Sequence, residues 1–226
     1  YNCNFVNKNF IYNFSSEPTG THMLLLNQVL PGSKVLDIGC AVGYLGKYLT
    51  TEKQCEVWGI EADADAYLVA QQNNYKFLLN KTAEEALADP ALANQKFDYI
   101  LLGDVLEHLL YPEQVLKQLK TFIAENGKLL LSLPYVAHYS VRLSLLRGRW
   151  DMTDSGIMDR THIHFYTLNT AKELLQKNGW KIENMRPRGD LERWFRKVGL
   201  ERIGKRILFL FPEFFSIQFI FTATVK

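Results

Sequence analysis

The chain has 226 residues, enough to bury a full core as one domain, and its 47% hydrophobic and 22% charged content excludes a disordered polypeptide. A net charge of +2 is too small to draw the protein to nucleic acid. No apolar run approaches the ~20 residues that cross a bilayer, and the opening residues do not read as a signal peptide.

Short β-branched runs alternate with helical patterns along most of the chain, which indicates a parallel sheet with helices packed on it. Residues 1–32 read as a segment capping the domain, and "SKVLDIG" (33–39) as the first buried strand. "YLGKYLT" follows as a helix with Leu45, Tyr48 and Leu49 on one face. "CEVWGIEAD" (55–63) is the second strand, and Asp63 is placed to cap the helix "ADAYLVAQQ". "YKFLLN" (75–80) is a third strand, and "TAEEALAD" a short helix stopped by Pro90. "KFDYILLGD" (96–104) is the fourth strand. Pro112 then opens a helix, "PEQVLKQLKTFIAEN", which Gly127 is expected to end.

"KLLLSLP" (128–134) is the fifth strand. From Tyr135 to Phe165 the alternation lapses into an insertion rich in arginine and aromatic residues, with one expected helix, "HYSVRLSLLR", stopped by Gly148. A helix capped by Thr167 and the strand "WKIENM" restore the pattern. A second insertion over 187–213 precedes the last strand, "SIQFIFTATVK". The simplest organisation is a single domain, 1–226, with two insertions. Cys3, Cys40 and Cys55 are an odd number without a CxxC spacing, so neither a disulfide framework nor a zinc knuckle is expected, and a reducing, cytoplasmic setting fits.

The first strand runs into "DIGCAVGY", where small residues let the backbone approach a ligand as strand turns to helix. Glu61 ends the second strand, 22 residues after Gly39, where an acid can accept both hydroxyls of a ribose. Together these features point to a nucleoside cofactor. A dinucleotide fingerprint would read GxGxxG, with a pyrophosphate on the helix N-terminus. Here Asp37 precedes the first glycine, and a carboxylate so placed repels a pyrophosphate but suits a cofactor carrying an ammonium and a sulfonium. That favours S-adenosylmethionine over NAD.

At this point the sequence resembles the class I S-adenosylmethionine-dependent methyltransferases. The resemblance covers roughly residues 20–185 and rests on "VLDIGCAVGYLGKYL", "VWGIEAD", "FDYILLGDVLEHL" and "NGKLLLSLP" in that order. It implies a doubly wound, mostly parallel seven-stranded α/β sheet, the Rossmann-like methyltransferase fold, with the last strand antiparallel and a helical insertion after strand 5. It also carries cofactor roles onto Asp37, Gly39, Gly43 and Glu61, with Cys40, Ala62 and Ala83 beside them. Gly103 and Asp104 would line the methionine side. Ala41 replaces the usual middle glycine. Thr82 stands where many relatives have an acid that reads the adenine amino group, and its hydroxyl is a substitute reader. "DRTHIHFYT" and the insertion before it look like a narrower, bacterial subgroup associated with surface-polysaccharide genes.

A sulfonium makes its methyl group electrophilic already, so the protein's main task is to position an acceptor in line, about 3 Å away. A hydroxyl acceptor also needs a base, and histidine serves at neutral pH. The candidates are His22, His108, His138, His162 and His164. His22, on the helix before the first strand, reads as a surface or edge residue. His162 is the preferred base, with Asp159 to orient its ring or to pair with Arg160. His162 and His164 would share a side if the stretch is extended. No metal is expected. Two histidines make a poor zinc clip, and an acid-x-x-Glu-His run such as Asp104, Glu107 and His108, which binds a divalent ion in some quinone-type O-methyltransferases, reads here as a capped turn.

Four arginines in the first insertion, Arg142, Arg147, Arg149 and Arg160, suit a phosphorylated or sugar-containing acceptor or else pair with Asp151, Asp154 and Asp159. The resulting expectation is methyl transfer to a hydroxyl of a small or glycan-related acceptor. The alternatives are a non-catalytic partner protein of the same fold, or an NAD-dependent oxidoreductase. Residues 186–206 hold eight Arg or Lys against three acids and precede "ILFLFPEFF", so a peripheral membrane contact through 186–215 is a further expectation beside the simpler packed helix.

Overall fold

The computed structural model describes residues 20–189, 191, 195 and 199–226, together with the backbone strands of 4–7 and 10–13. The N-terminal segment forms a two-stranded antiparallel ribbon, β1 (Asn4–Asn7) and β2 (Phe10–Asn13), and then α1 (Thr21–Leu26). Seven strands make the main sheet: β3 (Lys34–Ile38), β4 (Glu56–Glu61), β5 (Phe77–Asn80), β6 (Phe97–Gly103), β7 (Ile123–Pro134), β8 (Trp180–Arg188) and β9 (Gln218–Val225). Their order is β5-β4-β3-β6-β7-β9-β8, and β9 runs antiparallel to both neighbours. The seven-stranded fold implied by the family resemblance is therefore the one observed, although the antiparallel strand lies second from the edge.

Period-two alternation within each strand divides the core between the two faces of the sheet. Leu36, Ile38, Ile100, Leu102, Leu129 and Leu131 enter one cluster, while their chain neighbours Val35, Leu101 and Leu130 enter the other. On that second face lie α1, through Leu25 and Leu26, and α2 (Tyr44–Glu52), through Leu49 with Leu45 and Tyr48 at its margin. The first face is covered by α4 (Ala83–Leu87), α5 (Pro112–Leu119) and α7 (Leu168–Lys177), whose Val115, Leu116, Ala171 and Leu175 are buried. Asp63 caps α3 (Ala64–Ala70) by accepting from the Ala66 N–H at 2.7 Å, and Thr167 caps α7, both as expected.

The structure departs from the sequence reading first at the junction of α5 and β7. The helix from Pro112 stops at Leu119, and β7 already starts at Ile123. Phe122 and Ile123 continue the apolar spacing of α5, but they are claimed by the sheet: the Phe97 N–H donates to the Phe122 carbonyl at 2.8 Å and Phe97 pairs with Ile123. Gly127 marks a close approach inside this strand rather than a helix end, since a Cβ there would sit 2.8 Å from the Phe97 carbonyl oxygen.

The second difference is the "DRTHIHFYT" stretch, which is a series of turns instead of an extended strand. A single bridge, Tyr135 to Tyr166, ties its end to the sheet. The first insertion holds α6 (Tyr139–Leu146), and residues 201–215 form α8 (Glu201–Leu210) and α9 (Pro212–Phe215). The expected second insertion begins later than anticipated, because β8 runs through Arg188; its residues 190, 192–194 and 196–198 lie outside the described residues.

Candidate active site

Parallel strands deliver their loops to one end of the sheet, and the loop after β3 is fixed there by backbone donors. The Gly39 and Cys40 N–H groups both donate to the Ile60 carbonyl, at 2.8 and 3.0 Å. Gly39 has φ +68°, and a Cβ on it would lie 2.7 Å from Val105 Cγ2, so the turn needs glycine on two counts. Ala41 accepts a left-handed φ of +50°, a strain of roughly 1 kcal/mol, at the position where the family resemblance calls for glycine. Its N–H donates at 2.6 Å to Glu61 Oε2, while Glu61 Oε1 accepts from the Asp63 N–H at 2.8 Å. Glu61 is thus clamped between two loops, and each oxygen keeps a second lone pair for a ribose hydroxyl. Burial pushes its carboxyl above the ordinary range, against the pull of these two donors.

Asp37 takes no place in the cavity wall. It lies beneath the loop, 1% exposed, and accepts from the Tyr75 hydroxyl at 2.8 Å. Burial raises its pKa to about 7, with the Glu61 charge adding to the rise. Gly43 is also absent from the wall and stands as the capping residue before α2. Both residues thus support the loop that borders the cavity.

The remaining cofactor candidates do meet. Gly39, Cys40, Glu61, Ala62, Thr82 and Ala83 line one side of a cavity of about 1010 Å³, and Gly103 and Asp104 line its middle. That volume is at the upper end for a cofactor and a small acceptor together. Thr82 forms a capping box with Glu85 at the start of α4: its hydroxyl accepts from the Glu85 N–H and donates to the Glu85 carboxylate, which leaves one hydroxyl lone pair. Asp104, with φ +56°, accepts from the Ser132 hydroxyl at 2.6 Å and from the Gln218 amide, so its carboxylate is tied to β7 and β9.

The far end of the cavity is formed by the turns after α6. Asp159, Thr161 and His162 line it with Glu107 and His108. The Ile163 and His164 N–H groups both donate to the Glu107 carbonyl, at 2.9 and 3.1 Å, which docks the returning segment on the loop after β6. His162 is 8% exposed, and its Nδ1 faces the Ile157 carbonyl at 3.2 Å. A carbonyl only accepts, so Nδ1 carries the proton and Nε2 is left as a lone pair. That nitrogen lies 4.0 Å from Glu107 Oε1. Glu107 is 1% exposed, and neither of its carboxylate oxygens has a hydrogen-bond partner. Burial pushes Glu107 well up, with Asp104 adding to the rise, and burial together with the neighbouring His108 pushes His162 down. Both groups are therefore driven to their neutral forms, and a neutral imidazole is what a general base must be.

Asp159 does not orient that ring. One of its oxygens accepts from the Thr161 N–H and hydroxyl, at 2.8 and 2.7 Å, which holds the turn. Arg160 is not at the site either: it pairs with Asp154 at 2.8 Å, and both side chains are exposed. His164 stacks near Tyr166, 6.1 Å between centroids, instead of sharing a side with His162. His138 caps α6. His22, read as an edge residue, instead lines the cavity within the fields of Asp104 and Arg188. Only packing of α1 on β6, β7 and β9 brings it there, which no local spacing could have signalled.

His108 has the same arrangement as His162, with Nδ1 3.1 Å from the Thr161 carbonyl. Ligand atoms of Glu107, His108 and His162 all lie within 4.8 Å of one another. Asp104, engaged by Ser132 and Gln218, is not part of this group, and the Glu107 expected on a capped turn is buried beside His162 instead.

A nucleoside-binding loop at the strand ends, with an open cavity beside it and a seven-stranded sheet closed by an antiparallel strand, defines the methyltransferase class of α/β fold. A sequence profile described as "Methyltransferase domain" matches residues 21–185, and the chain belongs to that family. Its cofactor is S-adenosylmethionine. The chain is 36% identical over 107 residues to a ubiquinone biosynthesis O-methyltransferase of Glaesserella parasuis, covering 45% of each. It is 30% identical over 113 residues to an (S)-tetrahydroprotoberberine N-methyltransferase of Eschscholzia californica, covering 49% of this chain and 32% of the relative. The chain thus spans less than half the length of these curated relatives. Among solved structures, a TehB-like S-adenosylmethionine-dependent methyltransferase of Corynebacterium glutamicum shares the fold at TM-score 0.55 and 17% identity, over 91% of this chain and 87% of that one.

Proposed function

We propose that the protein transfers a methyl group from S-adenosylmethionine to a hydroxyl of a small acceptor, with His162 as the base. The reading is carried by one observation: buried His162, whose Nδ1 is taken up by the Ile157 carbonyl, lines the same cavity as the carboxylate Glu61. In that role His162 Nε2 would take the proton of the acceptor hydroxyl, and S-adenosylmethionine would supply the electrophilic methyl carbon and depart as a neutral thioether. The relatives named for O-methylation support an oxygen acceptor; the relative named for N-methylation makes a nitrogen acceptor the control. None of Arg142, Arg147, Arg149 and Arg160 lines the cavity, and two of them are paired with Asp151 and Asp154. The arginine argument for a phosphorylated sugar therefore loses its footing, and a sugar acceptor rests on the narrower subgroup likeness alone. Assaying S-adenosylhomocysteine release against phenolic, sugar and amine acceptors tests the proposal. Turnover with amines alone contradicts it. Cofactor binding without turnover on any acceptor favours the non-catalytic alternative.

A second reading has its own observation. Two histidines that each direct Nδ1–H to a backbone carbonyl, with a buried, unpartnered carboxylate between them, are oriented as metal ligands commonly are. Glu107, His108 and His162 would hold a divalent ion, which would supply Lewis-acid activation of the acceptor oxygen. Metal analysis of the purified protein, with Glu107→Gln alongside, separates the two readings. A stoichiometric ion lost in Glu107→Gln makes His162 a ligand, and none supports it as the base.

A further inference from the structure

Surface helices ordinarily turn an apolar stripe inward and polar residues outward. α8 departs from this. Gly204 and Leu208 are buried, yet the opposite side carries Ile203, Phe209 and Leu210 together with Arg202 and Arg206. Phe209 is 79% exposed. α6 does the same: Val141 is buried, while Leu143, Leu145 and Leu146 face water, Leu146 at 83%. The two elements meet through α9. Tyr139 stacks on Phe214 at 5.7 Å between centroids, and Arg142 donates to the Glu213 carbonyl at 2.9 Å while lying over the Phe214 ring. Exposed Phe211 and Trp150 extend the same apolar character along the connecting segments. A concentration of large apolar side chains on surface elements joined in this way is uncommon unless something non-aqueous covers it.

The charges on these elements indicate what that is. Arg142, Arg147, Arg202 and Arg206 are interleaved with the apolar side chains, and Arg149 is neutralised by Asp151 at 2.8 Å. Among the described side chains of α6, α8 and α9 the acid is Glu213. A second copy of the chain would set arginines against arginines. An anionic lipid surface would receive the aromatic and leucine side chains at headgroup depth and place phosphates against the guanidinium groups. We propose that α6, α8 and α9 form a docking surface for an anionic bilayer. This footprint differs from the 186–215 stretch expected from sequence, since Arg188 belongs to the cavity wall and α6 is added. It is continuous with the cavity, because α6 departs just beyond Pro134 and α9 leads into Ile217, both lining residues. The proposal does not depend on which atom is methylated. No described helix is long and apolar enough to cross a membrane, so contact would be peripheral.

The test is co-sedimentation of the full chain with phosphatidylcholine vesicles, with and without phosphatidylglycerol, at low and high salt. Binding is expected only with the anionic lipid, weakening with salt. The double variant Leu146→Glu, Phe209→Glu should lose roughly tenfold or more of it while keeping its circular dichroism and S-adenosylhomocysteine affinity. Two results overturn the proposal: no sedimentation with anionic vesicles, or equal sedimentation of the double variant. Light scattering supplies a third. A dimer that the same two substitutions convert to monomers would mean that a second copy covers the face.

Discussion

The two ends of the cavity are built by different means. At the cofactor end, backbone N–H groups of Gly39, Cys40, Ala41 and Asp63 all have acceptors within 3.0 Å, and the loop is fixed before any ligand arrives. At the acceptor end, Glu107 offers two buried oxygens without a hydrogen bond. Leaving a buried polar group unpaired costs about 1–3 kcal/mol, so this end holds capacity that an acceptor, a proton or an ion would satisfy. One end is a finished receptor; the other is completed by what it binds.

Substitutions at each end should separate these roles. The largest effect is expected from His162→Ala, which should lower turnover by about 10²–10⁴ once an acceptor is known. The comparison breaks if turnover stays within a few-fold of wild type. A smaller effect belongs to the cofactor end. Gly39→Ala would force a Cβ against Val105 at a positive φ, and should weaken S-adenosylhomocysteine binding by roughly ten- to a hundredfold by displacing the loop. Calorimetry reads it directly, and unchanged affinity would mean that the turn tolerates rearrangement.

The pH dependence of the two ends also differs. Because burial lowers the His162 pKa, the acid limb of the rate profile should fall below pH 6.5 rather than at it. Asp37 acts on stability with the opposite sense. Its pKa rises from 3.8 to about 7 on folding, so its favourable contribution is full below about pH 4 and is lost as pH climbs towards 7. Asp37→Asn, which keeps an acceptor for Tyr75, should flatten the melting temperature of the ligand-free protein between pH 5 and pH 8. Equal slopes in the two proteins would place the Asp37 proton elsewhere. Thr82→Ala should cost about 1 kcal/mol of stability through the lost cap, with cofactor affinity nearly unchanged. A large loss of affinity would instead make the hydroxyl an adenine reader.

The same contrast explains what the chain made legible. At the cofactor end, "DIGCAVGY" and Glu61 sit at the ends of adjacent strands, so their spacing pointed to a nucleoside, while the family resemblance supplied Cys40, Ala62, Thr82 and Ala83. The strands were readable because residues such as Val35 and Leu36 are buried on opposite faces and leave a continuous apolar run. The acceptor end joins Glu107 and His108 to residues about fifty positions later, and His22 reaches it through α1. Chain neighbours mislead there. Asp159 looked like the partner of His162, but an acid two residues before a threonine is better used closing its own turn. Phe122 and Ile123 continued the helical spacing of α5 and were recruited by a strand edge more than twenty residues away.

The central claim is that one cavity binds S-adenosylmethionine through its fixed end and leaves His162 free for chemistry at the other. Calorimetric titration of S-adenosylhomocysteine into wild type, Glu61→Ala and His162→Ala tests it most directly. The account predicts binding to wild type, a loss of about 1.5–3 kcal/mol in Glu61→Ala, and unchanged affinity in His162→Ala. No binding by wild type, tight binding of NADH instead, or unaltered affinity in Glu61→Ala would contradict it.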